Sequence, residues 1–397
     1  MPAGWNAPLR AALPRTVLVL GFVSLLNDAA SEMITPLLPV FLTAALGAGP
    51  AIVGLVEGVA EATASILKLV SGRLADRGVP AKGLVLGGYG VSNLCRPLIG
   101  FSAGWSAVLL LRFFDRVGKG LRTAPRDALI AAAAGSAGRG RAFGFHRSMD
   151  HAGAVVGPLL AFALLSAGAG LEHVFLASAI PGALVLLLLM FGLPAGPRRT
   201  PTAPPRFRWR DLHGRLRGLI LTTGLLALAS VPEVFVVLWA TQAGLPVAWV
   251  PLVWAAASLA KMTIAMPAGM LSDRLGRLPL LVGGWAARVS VLLLLAATAP
   301  GTIGVWALFL AYSATLAITE PAERSLIGDH AAEHERGTAY GLYHLVGGLL
   351  ALPGAVLFGL LWQGFGSSVA FFTAAVVTAI SAVLMLAVAS PWRRGAP

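Results

Sequence analysis

The sequence predicts an all-α polytopic membrane protein with twelve transmembrane helices in two six-helix halves. Three observations predict this class. Hydrophobic residues make up 57% of the 397-residue chain and charged residues only 12%, a composition too apolar for a water-soluble globule. Apolar segments long enough to cross the bilayer recur along the whole chain. Several short motifs return at one fixed spacing, which indicates an internal repeat.

Twelve apolar segments account for most of the chain. Each is about 20 residues or longer, the length that a helix needs to cross a hydrocarbon core of about 30 Å. We place the predicted spans at residues 16–43, 51–72, 83–101, 104–126, 142–165, 171–193, 217–241, 246–268, 280–298, 303–327, 339–362 and 367–389.

Basic residues of the loops fall on one side of this arrangement. They cluster at both termini and after the second, fourth, sixth and eighth spans, at Arg10, Arg15, Arg73, Arg77, Lys82, Arg139, Arg141, 198–217, Arg274, Arg277, Arg393 and Arg394. Because loops rich in lysine and arginine stay in the cytoplasm, we expect a multi-pass protein of the cell inner (plasma) membrane with both termini cytoplasmic. This topology accounts for the net charge of +13, so we expect no nucleic acid partner.

The longest basic segment divides the chain. Residues 194–216 are rich in proline and arginine and follow the sixth span. Proline and charge stop a helix from continuing across such a segment. We therefore predict an N-terminal six-helix half at 1–193, a cytoplasmic linker at 194–216 and a C-terminal six-helix half at 217–397.

The two halves repeat each other at an offset of 197 positions. The loop motif Gly72-Arg-Leu-Ala-Asp-Arg77 returns as Gly269-Met-Leu-Ser-Asp-Arg274, and Gly157 returns as Gly354. Because six spans separate the copies, both halves have the same topology in the membrane. The offset predicts a parallel repeat about an axis along the membrane normal.

The repeated loop motif predicts a latch on the inner face. A glycine lets two helices approach closely, and an aspartate can accept hydrogen bonds from a helix N-terminus and pair with arginines across that face. The alternative is a tight, positively charged turn. The predicted latch residues are Gly72, Asp76, Arg77, Gly269, Asp273 and Arg274.

The fourth span carries charge into the membrane. At 100° per residue, one helix face presents Arg112, Asp115, Arg116, Lys119, Arg122 and Arg126. An ionised side chain in hydrocarbon costs about 2.5 to 17 kcal/mol, so this face must contact protein or water. Counting from the outer surface puts Arg112, Asp115 and Arg116 near the midplane, with Lys119 deeper. We predict that these four residues contact the substrate or take part in proton coupling.

Carboxylates on three other spans complete the predicted site. Asp28 and Glu32 lie four residues apart on one face of span one, and Glu61 and Asp150 lie near the midplane in spans two and five. Binding of a proton relieves the repulsion between two such like charges. The alternative is that Asp28 or Glu32 simply forms an ion pair with an arginine of span four. Elsewhere, Arg96 is expected to reach the inner surface or to pair locally.

Two six-span halves with Gly-x-Leu-x-Asp-Arg after the second span of each half resemble the major facilitator superfamily (MFS) of secondary transporters. The resemblance covers essentially the whole chain. The fourth-span pattern of that family, Arg-x-x-Gln-Gly-x-Gly-x-Gly, is similar to residues 112–120, where Asp115 and Arg116 replace Gln and Gly. The segment Asp-Arg-x-Gly-Lys-Gly-x-Arg-x-x-Pro-Arg-Asp-Ala-Leu also resembles that of a subgroup of prokaryotic permeases.

The family's antiporter motif on span five, Gly-x-x-x-Gly-Pro-x-x-Gly-Gly, looks like the segment from Gly153 through Gly157 and Pro158 to Phe162, although the final glycine pair is missing. The resemblance implies an exporter that works by proton antiport. From the residues alone, small side chains next to a proline permit close helix packing and a bend, and packing without any transport role is the alternative.

We therefore expect a secondary active transporter that moves a small solute by alternating access, as a proton-coupled exporter of a drug, organic anion or metal chelate. The positive midplane face favours an anion unless its arginines are paired with the nearby acids. The alternatives are a proton symporter that takes up an organic anion and, in a different class, a channel or facilitative pore.

The expected partners are a small-molecule substrate, protons and the lipid bilayer, and we expect a monomer. We expect no enzymatic activity, because no nucleophile and base fall at the same depth as an intramembrane hydrolase would need, and no cofactor. ATP-driven transport is not expected, because no phosphate-binding Gly-Lys-Ser/Thr loop opens a helix. No metal site is predicted, since Cys95 is the single cysteine and no set of fixed ligands stands out.

Overall fold

The structure is a computed structural model that describes residues 13–76, 79–193, 209, 212–298, 300–331 and 336–389. Within these residues the regular structure is helical and contains no strand. The helices are α1 (Arg15–Glu32), α2 (Leu38–Val40), α3 (Pro50–Asp76), α4 (Ala81–Leu98), α5 (Trp105–Ser166), α6 (Leu171–Ala177), α7 (Ala179–Gly192), α8 (Gly214–Ala229), α9 (Glu233–Gln242), α10 (Val250–Leu275), α11 (Arg277–Ala297), α12 (Thr302–His330), α13 (Arg336–Phe365) and α14 (Ser367–Ala389).

The predicted all-helical membrane class is confirmed. In the described part of the chain, nine helical stretches are long and apolar enough to cross a membrane. The other three predicted spans correspond to α1, α4 and the first part of α5, whose buried charges and polar residues lower their hydropathy. The count of twelve spans is consistent with this structure. The exact limits of the two halves stay a prediction, because most of residues 194–216 lies outside the described residues.

Two predicted spans are broken, and they are broken at equivalent positions. The helix predicted at 16–43 ends at Glu32, and the one predicted at 217–241 consists of α8 and α9 with a break between them. The last residues of α1 and α8, Glu32 and Ala229, lie 197 positions apart. Nearby prolines, Pro36 and Pro232, cannot donate the backbone hydrogen bond that would continue a helix. Both first helices of the repeat therefore end inside the protein.

The long helix α5 contains two predicted spans. It reverses at Gly135, whose φ of 63° and ψ of 178° are left-handed values that favour glycine. Ile130 before the bend and Ala142 after it belong to the same buried apolar cluster. The fourth and fifth spans are thus neighbours in space, as two consecutive membrane helices should be.

The helices pack in two sets with a shared interface. In the first set α1 and α4 each pack on α5 and α7, and α3 packs on α5; in the second set α10 and α11 pack on α12, and α8 and α11 pack on α14. The two sets meet where α3 packs on α13 and α5 packs on α10. The offset of 197 residues relates α3 to α10 and the second part of α5 to α13, so the two contacts are equivalent under the repeat.

The apolar core is continuous at one end of the bundle and divided at the other. We call the end that carries Lys82, Arg141 and Arg277 the basic end, and the other the opposite end. At the opposite end one buried cluster joins both sets of helices, from Phe41 and Val56 to Phe235 and Trp362. At the basic end two clusters stay apart, each within one set. Within the described residues, the two sets are therefore sealed at the opposite end and separated at the basic end.

Glycines bring the backbones of α3 and α13 into contact. A Cβ atom on Gly54 would lie 2.1 Å from the carbonyl oxygen of Ala355, and one on Gly359 would lie 2.4 Å from that of Pro50. Contacts this short leave no room for any side chain. Small residues at helix crossings are a common means of tight packing in membranes.

We predict that Gly54→Ala lowers the melting temperature of the purified protein, because overpacking of such a contact costs about 1–3 kcal/mol. Gly87→Ala is the matched control, since a Cβ atom there would meet nothing within 4 Å. Thermal unfolding in detergent, followed by intrinsic tryptophan fluorescence, measures both. Equal melting temperatures for the two variants would contradict the close contact.

Candidate functional site

A buried carboxylate holds three arginines in the middle of the first set of helices. Asp115 is fully buried; its Oδ1 accepts a hydrogen bond from Arg96 Nε at 3.0 Å, and its Oδ2 lies 3.3 Å from Arg112 Nη1 and 3.6 Å from Arg116 Nε. We call Arg96, Arg112, Asp115 and Arg116 the Asp115 cluster. A buried charge is stable only when it is paired and hydrogen-bonded; here Asp115 lies within 4.0 Å of all three arginines, and Glu57 supplies a second negative charge to Arg112.

The Asp115 cluster ties four helices together. Arg96 of α4 donates from Nη1 to the carbonyl oxygen and the side-chain oxygen of Asn27 in α1, at 3.1 and 2.9 Å. Arg112 of α5 pairs with Glu57 of α3 through a 3.2 Å contact. The cluster therefore fixes α1, α3 and α4 against α5, and the predicted midplane residues Arg112, Asp115 and Arg116 are largely turned inward.

Arg96 is buried and does not reach the inner surface; besides a local hydrogen bond to Asn93, it pairs beyond its own helix, which the sequence does not predict. Its main partner, Asp115, lies on a different helix, and the contact with Asn27 comes from a third. No spacing within α4 encodes these contacts. The available signal was that an arginine inside an apolar span needs a counter-ion.

Three other predicted carboxylates, Asp28, Glu32 and Glu61, have no cationic nitrogen within 4.0 Å among the described residues. Asp28 accepts a hydrogen bond from Asn27 Nδ2 at 3.0 Å, and Glu61 accepts one from Ser65 Oγ at 3.4 Å. These neutral donors stabilise a carboxylate less than an arginine does. All three groups are thus placed to gain a charged partner or a proton.

Glu32 forms a bond between the two sets of helices. Trp254 Nε1 on α10 donates to Glu32 Oε2 at the end of α1, at 2.8 Å. Beside it, Lys261 Nζ lies 2.7 Å from Glu233 Oε2 and 5.7 Å from the centroid of the Trp254 ring. Ser313 Oγ donates to the other oxygen of Glu233 at 2.7 Å. Glu233 and Lys261 are not among the predicted site residues. Their pairing depends on the helix break before α9, which the sequence analysis does not predict.

Asp150 connects α5 to α1. It accepts a hydrogen bond from Ser24 Oγ, and its Oδ2 lies 3.5 Å from His146 Nδ1 and 3.7 Å from Arg147 Nη1. Asp150 therefore has a cation, Arg147, within 4.0 Å. Asp28 has none among the described residues, and Asp150 is one of its charged neighbours.

Lys119 is half-buried and makes no ion pair within 4.0 Å in the part of the chain that the structure describes. Its charged neighbours are Arg116, Lys68, Glu61 and Asp28. Of the three span-four cations in the predicted site, Arg112, Arg116 and Lys119, it is therefore Lys119 that no carboxylate among the described residues holds directly.

Two cavities lie between the two sets of helices. The smaller has a volume of about 420 Å³ and is lined by Glu61 and Lys68. The larger has a volume of about 730 Å³ and is lined by Glu32 and Lys261. Glu233 lines both. Cavities of this size hold drug-sized molecules. They lie on the basic side of the shared apolar core, where the two sets of helices separate.

Asp273 of the predicted latch makes its ion pair within the second set of helices in this conformation. Asp273 pairs with Arg277, whose Nε also lies 3.2 Å from Asp329 Oδ2, so the contact joins α10, α11 and α12. The corresponding residues of the first set, the side chain of Asp76 and all of Arg77, lie outside the described residues. Because the two sets are separated at the basic end, Asp273 pairs with a residue of its own set.

The other predicted latch residues differ in their surroundings. A Cβ atom on Gly72 would lie 3.7 Å from Ala124 Cβ, whereas one on Gly269 would meet nothing within 4 Å. Arg274 is exposed. Gly72 therefore faces α5, and Gly269 faces open space in this conformation.

The span-five motif packs on the helix that carries Asp28. Cβ atoms on Gly153 and Gly157 would each lie 2.4 Å from a carbonyl oxygen of α1, that of Leu25 and of Ala29. Pro158 follows inside the helix. The two glycines thus bring the backbone of α5 against α1 directly beside Asp28.

Sequence comparison identifies relatives over the full chain. A family model described as Major Facilitator Superfamily matches residues 20–351 and 252–396. An uncharacterized MFS-type transporter of Methanocaldococcus jannaschii is 30% identical over 385 residues, which cover 94% of this chain and 95% of that protein. An uncharacterized protein of Mycobacterium tuberculosis is 31% identical over 401 residues, with 95% and 93% covered.

Solved transporter structures share the fold at lower identity. A bacterial homolog to the human lysosomal transporter Spinster, in an inward-facing and occupied conformation, superposes with a TM-score of 0.78 at 17% identity over 94% of this chain and 96% of that chain. The nucleoside transporter NupG superposes with a TM-score of 0.78 at 14% identity over 94% and 99%. The family model, the relatives and the fold agree: this multi-pass membrane protein belongs to the Major Facilitator Superfamily of transporters.

Proposed function

We propose that the protein is a secondary active transporter that exports a small solute by alternating access in exchange for protons. The observation that carries the proposal is the contrast between two kinds of carboxylate. Asp115 is held by arginines, whereas Asp28, Glu32 and Glu61 have no cation within 4.0 Å among the described residues. An ionised group at membrane depth without a counter-ion is costly, so a proton or a charged solute is the partner that these three groups lack.

The division of the apolar core supports alternating access. If the basic end lies in the cytoplasm, as the positive-inside rule favours, the cavities face the cytoplasm and the shared core closes the outer side. Rocking of the two sets about their contacts at α3 with α13 and α5 with α10 would open the other side.

The bond between Glu32 and Trp254 offers a link between proton binding and this rocking. A hydrogen bond to an ionised carboxylate is roughly twice as strong as one to a neutral group. Protonation of Glu32 therefore weakens the bond that joins α1 to α10. The direction of transport rests on the resemblance of the span-five motif, whose Gly153 lies against Asp28.

The test is transport by the purified protein in liposomes under an imposed pH gradient, with internal pH followed while drugs, metal chelates and organic anions are added. Proton movement opposite to solute flux is the expected result. Proton movement in the same direction would replace antiport by symport. Solute flux that ignores the gradient would contradict proton coupling, and non-saturable flux would favour a channel.

We predict that neutralising an unpaired carboxylate removes coupling but keeps the fold. Asp28→Asn and Glu61→Gln should each reduce solute-dependent proton movement toward that of protein-free liposomes, because neither amide can carry a proton between the two sides. Their melting temperatures should stay close to that of the native chain. Glu172→Gln, at an exposed position near the start of α6, is the control. Full coupling in both Asp28→Asn and Glu61→Gln would contradict their role.

Asp115→Asn should instead destabilise the protein. Removing one partner of a buried ion pair costs about 3–5 kcal/mol, because the remaining charge stays buried and unpaired. Asp127→Asn is the matched control, since Asp127 pairs with Arg126 on the same helix but its side chain is 42% exposed. A lower melting temperature or folded yield is expected for Asp115→Asn alone. Equal stability of the two variants would contradict the structural role of Asp115.

A further inference from the structure

The larger cavity holds a lysine in an arrangement that suits an ammonium ion. Lys261 Nζ lies 2.7 Å from Glu233 Oε2 and 5.7 Å from the centroid of the Trp254 ring. A cation within about 6 Å of an indole centroid is attracted by the electrons of the ring. We call Glu233, Trp254 and Glu32 the ammonium cage, because Glu32 joins it through its bond to Trp254.

The ammonium cage carries a net negative charge once the ion pairs that already exist around the cavity are set aside. Glu320 pairs with Arg324 at 2.6 Å, and the nearest acid to Arg147 is Asp150, which does not line this cavity. Glu233 is neutralised by Lys261. Glu32 is left without a cation within 4.0 Å among the described residues. A low-dielectric cavity with a surplus of negative charge favours a positive ligand.

We propose that the ammonium cage binds a primary ammonium group of the transported solute, and that Lys261 occupies the cage as a tethered substitute in the empty protein. This inference rests on the proposed transport function and names its substrate class, an organic amine with an apolar body. Lysine suits the substitute role because its ammonium sits on a flexible stem of four carbons. The side chain of Lys261 is 29% exposed, so it can swing into the cavity.

The rest of the cavity fits the other end of such a solute. Met266, Leu316 and Ala265 provide apolar wall, and the volume of about 730 Å³ is that of a drug-sized site. An anion in the same place would bind Lys261 between two carboxylates, so repulsion from Glu32 and Glu233 would oppose it. The two arginines that line this cavity, Arg147 and Arg324, already lie beside Asp150 and Glu320.

The test uses chemical rescue of a missing lysine. Removing the side chain in Lys261→Ala should lower the melting temperature, because Glu233 loses its counter-ion. Added n-butylammonium should then raise the melting temperature of this variant in a saturable way, since a ligand that binds the folded state stabilises it. Butyrate, the anion of matched size, should not. The native protein should need about tenfold more n-butylammonium for the same rise in melting temperature. The reason is that the added ammonium must first displace Lys261 from its ion pair with Glu233.

Two controls separate the cage from general charge effects. Lys82→Ala removes a lysine at the basic end that bonds only to a backbone carbonyl, and n-butylammonium should not stabilise it beyond the native protein. Adding Glu233→Gln to Lys261→Ala should abolish the rescue. A stronger effect of butyrate than of n-butylammonium on Lys261→Ala would overturn the proposal, as would rescue that survives Glu233→Gln or the absence of any rescue.

A second measurement distinguishes this inference from the proposed function. Binding of phenethylammonium and of 3-phenylpropionate to the native protein in detergent is measured by equilibrium dialysis without any gradient. Binding of the amine alone is expected. Suppose that phenethylammonium does not bind and n-butylammonium does not rescue Lys261→Ala, while proton-coupled transport of another solute persists. In that case only the proposal of the ammonium cage is wrong. If amine binding persists without proton movement in liposomes, the cage stands and the coupling is wrong.

Discussion

The Asp115 cluster is the interaction on which the rest of the structure depends. Asp115 and Glu57 together pair with three arginines that would otherwise be unstable at membrane depth, and through Arg96 and Arg112 the cluster locks α1, α3 and α4 against α5. The first set of helices can therefore move as one body. The same pairing reduces the positive charge that span four offers to a solute and leaves Lys119, which has no carboxylate within 4.0 Å among the described residues, as the cation of the predicted site without a direct partner.

Whereas the Asp115 cluster is fixed, the broken helices form the part of the structure that can adapt. Because α1 and α8 end at equivalent positions of the repeat, Glu32 and Glu233 come to lie beside the same cavity from opposite sets of helices. Ends of helices inside a membrane protein commonly form the binding sites of transporters. Trp254 bridges the two sets at this point. Solute, proton and rocking motion are thus brought to one place, while Asp115 stays apart from all three.

The sequence was sufficient for the helical membrane class and the repeat, because hydropathy and spacing act over long stretches. Glu32 and Glu61, which the sequence predicts to contact substrate or carry protons, line cavities in the structure; their role in transport stays a prediction. It could not predict the end of α1 at Glu32, because an apolar run continues beyond it. Nor could it predict the partner of Arg96 or the pairing of Glu233 with Lys261, since those contacts join distant segments and depend on helix rotation.

The central claim is that protons acting on the unpaired carboxylates control the separation of the two sets of helices at the basic end. Spin labels at Gly83→Cys and Gly283→Cys, in a Cys95→Ser background, report this separation by pulsed electron spin resonance; neither glycine has a neighbouring atom that a Cβ would meet within 4 Å. Lowering the pH should change the distance, because protonation of Glu32 weakens the bond to Trp254 that joins the two sets. The response should vanish when Asp28, Glu32 and Glu61 are all replaced by their amides. An unchanged response in that variant, or none in the native protein, would contradict the account.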